Sequence, residues 1–415
     1  MLCASSEIGG SRGGVTLGRV LTMHRRLSPP VAARLSAATA DLPGPLAVVD
    51  LDAFDANAAT LVDLAAGVPI RIATKSLRSR PLIERALGRA GFEGLMCYAV
   101  REALWWARDG HDNLLVAYPS VDVPALAELA ADPALTRAVV VMVDSVEHVD
   151  FIAREVPGHE GLRVAIDVDA SLRVGPAHMG VRRSPTRTPG DVESVIRRAQ
   201  ERGLVVAGLM FYDAQIAGLP DSSPVVRRMK KVSDSELRTR RAEVVTAARA
   251  LADLELVNGG GTGSLHVTHR DPSLTELAAG SGLFAPTLFD GYDALSLRPA
   301  AYFAAPVVRR PGAGMVTAYG GGYVASGPPG WSRVPSPLPE HDVALLRREG
   351  AGEVQTPLEG PGADRLSLGD RIWFRHAKAG ELAERFTEFA LVSSDGGDRV
   401  VGRAATYRGE GQCFG

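Results

Sequence analysis

The chain has few aromatic residues and few cysteines, and neither sign of charge dominates. Only 6% of its 415 residues are aromatic while 46% are hydrophobic, and the frequent Ala, Val and Gly suit an α/β protein with many tight turns. Cys3, Cys97 and Cys413 are far apart and include no CxxC pair, which excludes a disulfide framework and fits a reducing compartment. The formal net charge of −2 leaves no general basic field for nucleic acid or an anionic membrane.

Long apolar runs are absent as well. No run is long enough to span a bilayer, and the N-terminal region, rich in Gly, Ser and Arg, lacks the apolar core of a signal peptide. We therefore expect a cytoplasmic protein with no membrane and no nucleic-acid partner. Residues 1–40 are expected to form a partly disordered extension in which Met23 is a candidate start, and the length of the chain predicts two domains.

Apolar, strand-like runs alternate with helical patterns from about residue 45 to residue 290. Counting from residue 70 there are eight such runs, and each except the last is followed by a helical stretch. Eight parallel strands alternating with helices predict a (β/α)8 TIM-like barrel over residues 41–289, with the earlier run 46–52 standing outside the eight. The eight runs are 70–74, 94–99, 114–119, 138–144, 162–169, 205–212, 254–261 and 277–284.

The pattern changes after about residue 290. Helical periodicity fades, and short β-runs appear between Gly and Pro turns. A smaller C-terminal all-β domain is therefore predicted over residues 290–415. Its runs are 301–309, 315–318, 371–374, 389–393 and 400–407.

Two local features carry chemistry. Lys75 ends the first barrel run, and a partly desolvated lysine at the mouth of a barrel can lose its proton and form a Schiff base with an aldehyde cofactor. The glycine-rich segment 259–264 follows a later run, and its backbone N–H groups and hydroxyls suit a phosphate. It is not GxGxxG after a first strand, so a dinucleotide site is disfavoured. A solvent lysine and an ordinary αβ turn are the alternative interpretations.

Eight short sequence strings, including those that contain Lys75 and the glycine-rich segment, resemble in their order and spacing the fold-type III pyridoxal-phosphate enzymes. These enzymes include alanine racemase, D-threonine aldolase and D-serine dehydratase. The resemblance covers about residues 45–386, and within it the chain is most similar to a group described as amino acid deaminase/aldolase. The strings that carry it are 49–57, 70–75, 165–173 with 178–182, 208–218, 257–264, 278–282, 320–327 and 374–382.

The resemblance implies a cofactor site for pyridoxal 5′-phosphate. Lys75 would hold the cofactor as an internal aldimine and act as a base at the substrate α-carbon. Arg173 would lie against the pyridine ring or the substrate carboxylate, with His178 as the alternative, and Tyr212 would contact the ring. The phosphate would be bound by Gly260, Gly261, Thr262 and Gly263, with Gly280 and Ser281 as weaker candidates.

His376 is the residue on which the predicted mechanism depends. In the metal-dependent branch of the family, a His-x-Cys or His-x-Asp pair binds a divalent metal such as zinc beside the substrate hydroxyl. Here the second position is Lys378, and a charged lysine is no metal ligand. Two hypotheses remain: either Glu381 replaces the missing ligand, or His376 is itself an acid or base and Lys378 contacts the substrate hydroxyl or carboxylate.

The resemblance implies a lyase for a D-amino acid with a β-hydroxyl, acting by aldol cleavage or by loss of water and then ammonia. An amino acid racemase is the alternative, with Tyr319 or Tyr323 as its second base. A non-catalytic pyridoxal-phosphate homeostasis protein is a third hypothesis, which the extra β domain argues against. We expect a homodimer, because in this family the β domain of one subunit covers the barrel mouth of the other.

Overall fold

The computed structural model describes residues 30–415. The predictions for Met23, Cys3 and the first part of the extension concern residues 1–29 and lie outside the described residues. The last part of the predicted extension, Val31–Ala38, is an α-helix whose Leu35 is fully buried. Among residues 30–415, no helix combines the length and apolar character needed to cross a bilayer.

The predicted barrel is confirmed: eight parallel strands close on themselves, each paired with its neighbours. Closure occurs where the last strand pairs with the first, with Leu277 opposite Ile70. Six of the eight strands are buried at nearly every position, which explains their continuous apolar runs in the sequence. In chain order the strands are Ile70–Ala73, Phe92–Cys97, Leu114–Pro119, Val139–Val143, Arg163–Asp167, Val205–Phe211, Leu256–Gly259 and Glu276–Ala279.

Helices surround the barrel, and several begin at a side chain that caps the free backbone N–H groups. Asp50 accepts from the N–H groups of Asp52 and Ala53, and Thr188 forms a capping box with Asp191. Capping of this kind lets a helix start directly after a strand. These helices are Leu51–Ala65, Arg80–Leu87, Val100–Arg108, Val123–Ala131, Pro133–Ala138, Val146–Glu155, Pro189–Glu201, Ala214–Ala217, Pro224–Arg249, Leu265–Thr268 and Ser281–Phe284.

An ion pair in the barrel interior joins the first barrel strand to the last. Arg71 on the first strand donates two 2.7 Å hydrogen bonds to Glu276 on the last, and Asn258 on the seventh donates to the same carboxylate at 2.8 Å. Arg71 is 2% exposed, so loss of Glu276 would leave a buried guanidinium unpaired, at a cost of about 3–5 kcal/mol.

A second, nine-stranded sheet contains the five predicted C-terminal runs, which are all strands. Leu46–Asp50 stands outside the barrel as predicted, and it joins this sheet between Ala301–Gly312 and Glu388–Ser393. The proposed division at residue 290 therefore separates the barrel from all of this sheet except its N-terminal strand. The other strands are Met315–Tyr319, Ser336–Pro337, Ala344–Leu345, Gln355–Glu359, Arg371–Arg375 and Arg399–Ala405, and a separate hairpin pairs Leu172–Val174 with Ala177–Met179.

Candidate active site

A cavity of about 500 Å³ opens at the carboxyl ends of the barrel strands, where barrel enzymes place their reactive groups. Strand ends supply one side of its lining, and loops of the second sheet supply the other. The cavity is of the size that takes a small organic ligand.

Lys75 and Tyr118 meet inside this cavity. Lys75 lies in a single 3-10 turn, Thr74–Ser76, directly after the first barrel strand, and its Nζ donates to Tyr118 Oη at 2.6 Å. Tyr118 is the penultimate residue of the third barrel strand. Burial alone would raise the pKa of Tyr118, but the nearby Lys75 and Arg183 cations outweigh it and bring the pKa below the usual phenol value. The pair is therefore suited to sharing a proton.

An arginine and two tyrosines form a flat wall beside Lys75. The Arg183 Cζ lies 5.7 Å from the centroid of the Tyr118 ring and 5.5 Å from that of the Tyr212 ring. Tyr212 directly follows the strand Val205–Phe211, and burial raises the pKa of its phenol. A wall of this kind offers aromatic faces and one cation to a planar ligand.

The two glycine segments lie next to each other at the ends of the last two barrel strands. Thr262 Oγ1 joins them by accepting from the Gly282 N–H at 3.2 Å and from Ser281 Oγ at 3.3 Å. Asp213, fully buried, accepts from Ser264 Oγ at 3.2 Å and Thr268 Oγ1 at 3.0 Å, so the Ser264 hydroxyl is already engaged. This side of the cavity is lined by Gly260, Gly261, Thr262, Gly263, Gly280 and Ser281.

Close backbone packing requires two of these glycines. A Cβ at Gly263 would lie 2.1 Å from the carbonyl oxygen of Ala217, and one at Gly280 would lie 2.7 Å from that of Ala73. Both positions therefore exclude any side chain, and they leave main chain rather than side chain at the cavity wall. Backbone exposed in this way is what a phosphate group needs for close approach.

The second sheet of the same chain lines the opposite side of the cavity. Lys378 Nζ donates to Ser326 Oγ at 3.0 Å and to Ser326 O at 3.2 Å, while Glu381 Oε1 accepts from the Ser326 N–H at 3.0 Å. Arg333 lies on the same lining. The resemblance implied that a partner's domain covers the barrel mouth, whereas here loops of the same chain contribute to it.

Residues 49–285, more than half of the chain, match the family model for the alanine racemase N-terminal domain. The chain belongs to this family.

Individual members are distant relatives. The 3-hydroxy-D-aspartate aldolase of Paracoccus denitrificans (strain Pd 1222) is 26% identical over 244 residues, which is 58% of this chain and 60% of that protein. The chain thus matches well under two thirds of this relative's length.

Solved structures of other proteins share the fold. The D-threonine aldolase from Filomicrobium marinum has a TM-score of 0.73 at 23% identity, with 89% of this chain and 96% of that chain covered. The D-threo-3-hydroxyaspartate dehydratase from Delftia sp. HT23 has a TM-score of 0.71 at 21% identity, with 88% and 97% covered. The chain therefore shares the fold of these two enzymes over most of its length.

Membership of the family implies pyridoxal phosphate as the cofactor, and the cavity fits it. Lys75 supplies an amine, the Arg183 wall supplies aromatic faces, and the glycine segments supply side-chain-free backbone at two adjacent strand ends. Pyridoxal phosphate carries an aldehyde, a planar ring and a phosphate, and these three features would bind them in that order.

The structure does not bring Arg173 to this cavity. It lies on the hairpin strand Leu172–Val174, is about half exposed, and forms a 2.5 Å ion pair with Asp169. Its alternative, His178, lies on the paired strand and bonds to the Val181 carbonyl oxygen at 3.1 Å. Neither side chain lines the cavity, and Arg183, which follows the hairpin, lines it instead.

His376 is also outside the cavity lining. Its ring is buried at 2% exposure and packs edge-on against Phe284, with ring centroids 6.1 Å apart. Neither ring nitrogen has a hydrogen-bond partner in residues 30–415, and burial lowers the pKa of His376 to about 3. Burial thus favours the neutral imidazole, and the predicted acid-base role finds no support in this geometry.

The donor set does not fit a divalent metal beside the substrate. Glu381 lines the cavity, but His376 does not, and the position of the second family ligand holds the Lys378 ammonium. Within the described part of the chain, the sole group of three candidate ligands within reach of one another is Glu84, Asp109 and His111, none of which lines the cavity. The tyrosines considered for a racemase, Tyr319 and Tyr323, do not line the cavity either.

Several lining residues were missed by the sequence analysis. Tyr118 carried a usable signal, since it stands at the carboxyl end of a predicted barrel strand. Arg183 directly follows the string 178–182 and Asn258 lies inside the string 257–264, but neither had been given a role. Ser326 lies inside the string 320–327 but had been given no role, and Arg333 had no signal, because it comes from a long loop of the second sheet.

Proposed function

We propose that this protein is a pyridoxal-phosphate-dependent lyase that acts on a D-amino acid carrying a β-hydroxyl. The observation that carries the proposal is the Lys75 amine inside the barrel-mouth cavity, at hydrogen-bond distance from Tyr118. Proteins similar to this chain bear the names aldolase and dehydratase, and the substrates in those names are β-hydroxy D-amino acids.

Each group of lining residues has a proposed role in holding the cofactor. Lys75 would bind its aldehyde, and Tyr212 and Arg183 would hold its ring. When bound, pyridoxal phosphate supplies the electron sink that makes an α-bond of an amino acid breakable. The backbone and hydroxyls of Gly260, Gly261, Thr262, Gly263, Gly280 and Ser281 would hold its phosphate.

Proton transfer is assigned to Lys75 and Tyr118. Since Nζ and Oη are 2.6 Å apart, a proton taken up at Lys75 can pass to the Tyr118 oxygen and return. The lowered pKa of Tyr118, caused mainly by the adjacent Lys75 cation, eases transfer of a proton between the phenol oxygen and Lys75. No divalent metal takes part in this assignment.

A homodimer remains part of the proposal. Exposed apolar side chains on the second sheet and its loops, Tyr319, Val324 and Trp331 among them, suit contact with another copy. Light scattering at micromolar protein would give twice the chain mass, and a single-chain mass would contradict the proposed dimer.

Product analysis tests the reaction. D-threonine and 3-hydroxy-D-aspartate would be incubated with the loaded protein in deuterated buffer and followed by proton NMR. Aldol cleavage gives glycine with acetaldehyde or glyoxylate, and elimination gives a keto acid with ammonia. The L-enantiomers and the Lys75→Ala variant are the controls.

Two results would contradict the lyase. Exchange of the α-proton with an intact carbon skeleton would indicate a racemase. Retained cofactor with no change in any amino acid, D-serine and D-alanine included, would indicate a homeostasis protein.

A further inference from the structure

Two cations on the second-sheet side of the cavity have no carboxylate partner in residues 30–415. Lys378 Nζ bonds only to Ser326, and Arg333 Nη1 bonds only to Ser332, at 3.2 Å to its O and 3.3 Å to its Oγ. Arg333 Nε is buried and bonds to nothing in this part of the chain. Both side chains are only partly exposed, so water does not fully replace a missing partner.

Other cations near these two are paired with carboxylates, and the remaining unpaired cations of the lining, Lys75 and Arg183, are the ones assigned to the cofactor. Arg78 lines the same cavity and pairs with Glu384, and Arg375, just outside it, pairs with Asp290 at 2.7 Å. A buried or half-buried cation without a partner is costly unless a ligand supplies the opposite charge.

Glu381 is the single carboxylate among the residues that line the cavity, and it offsets only one of the two charges. Its Oε1 is held by the Ser326 N–H, while its Oε2 is buried without a partner. Burial, with repulsion from Arg333 and Lys75, outweighs the attraction of Glu381 and lowers the pKa of Lys378.

The two cations lie apart from the place proposed for the cofactor phosphate. The glycine segments follow the last two barrel strands, whereas Arg333 and Lys378 come from loops of the second sheet. A phosphate held by the glycine segments would therefore leave both cations available, and they would face the outer part of a substrate attached near Lys75.

We propose that Arg333 and Lys378 form a subsite for a second carboxylate of the substrate, with Ser326 positioning Lys378. The substrate class is then a β-hydroxy D-amino acid whose side chain ends in a carboxylate. This inference rests on the proposed lyase function and narrows its substrate. Charge-assisted hydrogen bonds from an arginine and a lysine offset that carboxylate without a divalent cation.

A comparison of two substrates tests the subsite. In the wild type, kcat/KM should favour 3-hydroxy-D-aspartate over D-threonine by about 100-fold or more. Lys378→Met and Arg333→Met should each lower kcat/KM for the dicarboxylate about 10- to 100-fold and that for D-threonine less than about threefold. Equal losses for both substrates would overturn the proposal, because they would show that the two cations bind the α-carboxylate or stabilise the fold.

A binding measurement separates the subsite from catalysis. Succinate should bind the loaded wild-type protein by calorimetry, bind each variant about 10-fold more weakly or worse, and outcompete butyrate as a ligand. Lys378→Arg should retain part of the affinity, and Lys231→Met, on an exposed helix position, should retain all of it. Equal succinate binding by wild type and variants would overturn the subsite. Succinate binding that depends on both cations, with no amino acid cleaved, would support the subsite and contradict the lyase.

Discussion

Lys75 Nζ donates a 2.6 Å hydrogen bond to Tyr118 Oη across the mouth of the barrel. The two residues come from the first and third barrel strands, so the contact depends on barrel closure rather than on proximity in the chain. Around this pair lie an arginine between two tyrosine rings, two glycine segments and the cations of the second sheet. The functional proposal follows from this arrangement.

Replacement of Tyr118 by Phe tests the proposed proton transfer. Because the hydroxyl is the group that exchanges a proton with Lys75, turnover should fall about 100-fold while the cofactor stays attached. Steady-state kinetics and the absorbance of the bound cofactor measure the two effects. Tyr302→Phe is a matched control, since its hydroxyl bonds only to the Pro299 carbonyl in the second sheet. Turnover within twofold of wild type would contradict the assignment.

Arg183 and Arg173 offer a paired test of which arginine serves the cofactor. Arg183→Met should weaken pyridoxal-phosphate binding about 10-fold, because it removes the cation between the Tyr118 and Tyr212 rings. Arg173→Met should leave binding unchanged within about twofold, because its side chain is half exposed and paired with Asp169. Fluorescence titration of the cofactor gives both affinities, and the reverse order would restore Arg173 to the site.

His376→Leu tests whether the buried imidazole has a chemical role. Both ring nitrogens lack partners in the described residues, so an apolar side chain of similar size should leave Tm unchanged or raise it. Turnover should stay within about threefold of wild type, with or without a chelator. A loss of 100-fold or more, or inhibition of the wild type by a chelator, would show that a metal or proton-transfer role exists.

The buried Asp213 carboxyl predicts a pH dependence of stability. Burial, the largest effect, raises its pKa from 3.8 to about 6, even though Arg241, Thr268 and Ser264 act in the opposite direction. The folded state therefore holds a proton that the unfolded state has lost, and the contribution of Asp213 to stability falls as pH rises from about 4 to about 6.

Asp213→Asn removes this dependence. The difference in Tm, wild type minus variant, should be larger at pH 4.5 than at pH 7.5, because only the wild type must ionise a buried group between them. Scanning calorimetry at both values measures the difference. A gap that grows with pH would contradict the raised pKa.

Most of the fold could be predicted from the sequence. Parallel barrel strands are covered on both faces, so they appear as continuous apolar runs, and all eight were recognised. Gln355–Glu359 was missed because a five-residue strand that contains Pro357 and two polar ends has no clear alternation. The very short strands Ser336–Pro337 and Ala344–Leu345 carry still less signal.

The cavity could be predicted best where its residues lie within a few positions of the carboxyl end of a barrel strand. Lys75, Tyr212 and Gly260 are of this kind, and the structure brings them together. Arg173 was predicted, with His178 as its alternative, and Arg183 was missed, because sequence periodicity does not reveal the short hairpin that holds Arg173 and His178 outside the cavity lining. His376 was expected beside the substrate, but its ring is buried behind the cavity wall against Phe284.

The most direct test of the account is the site of cofactor attachment. The chain has four lysines, Lys75, Lys230, Lys231 and Lys378, so borohydride reduction of the loaded protein and peptide mass mapping can identify the modified one. We predict one pyridoxyl group per chain, on Lys75, and none on the Lys75→Ala variant. Attachment at Lys378, or no attachment at any lysine, would contradict the central claim.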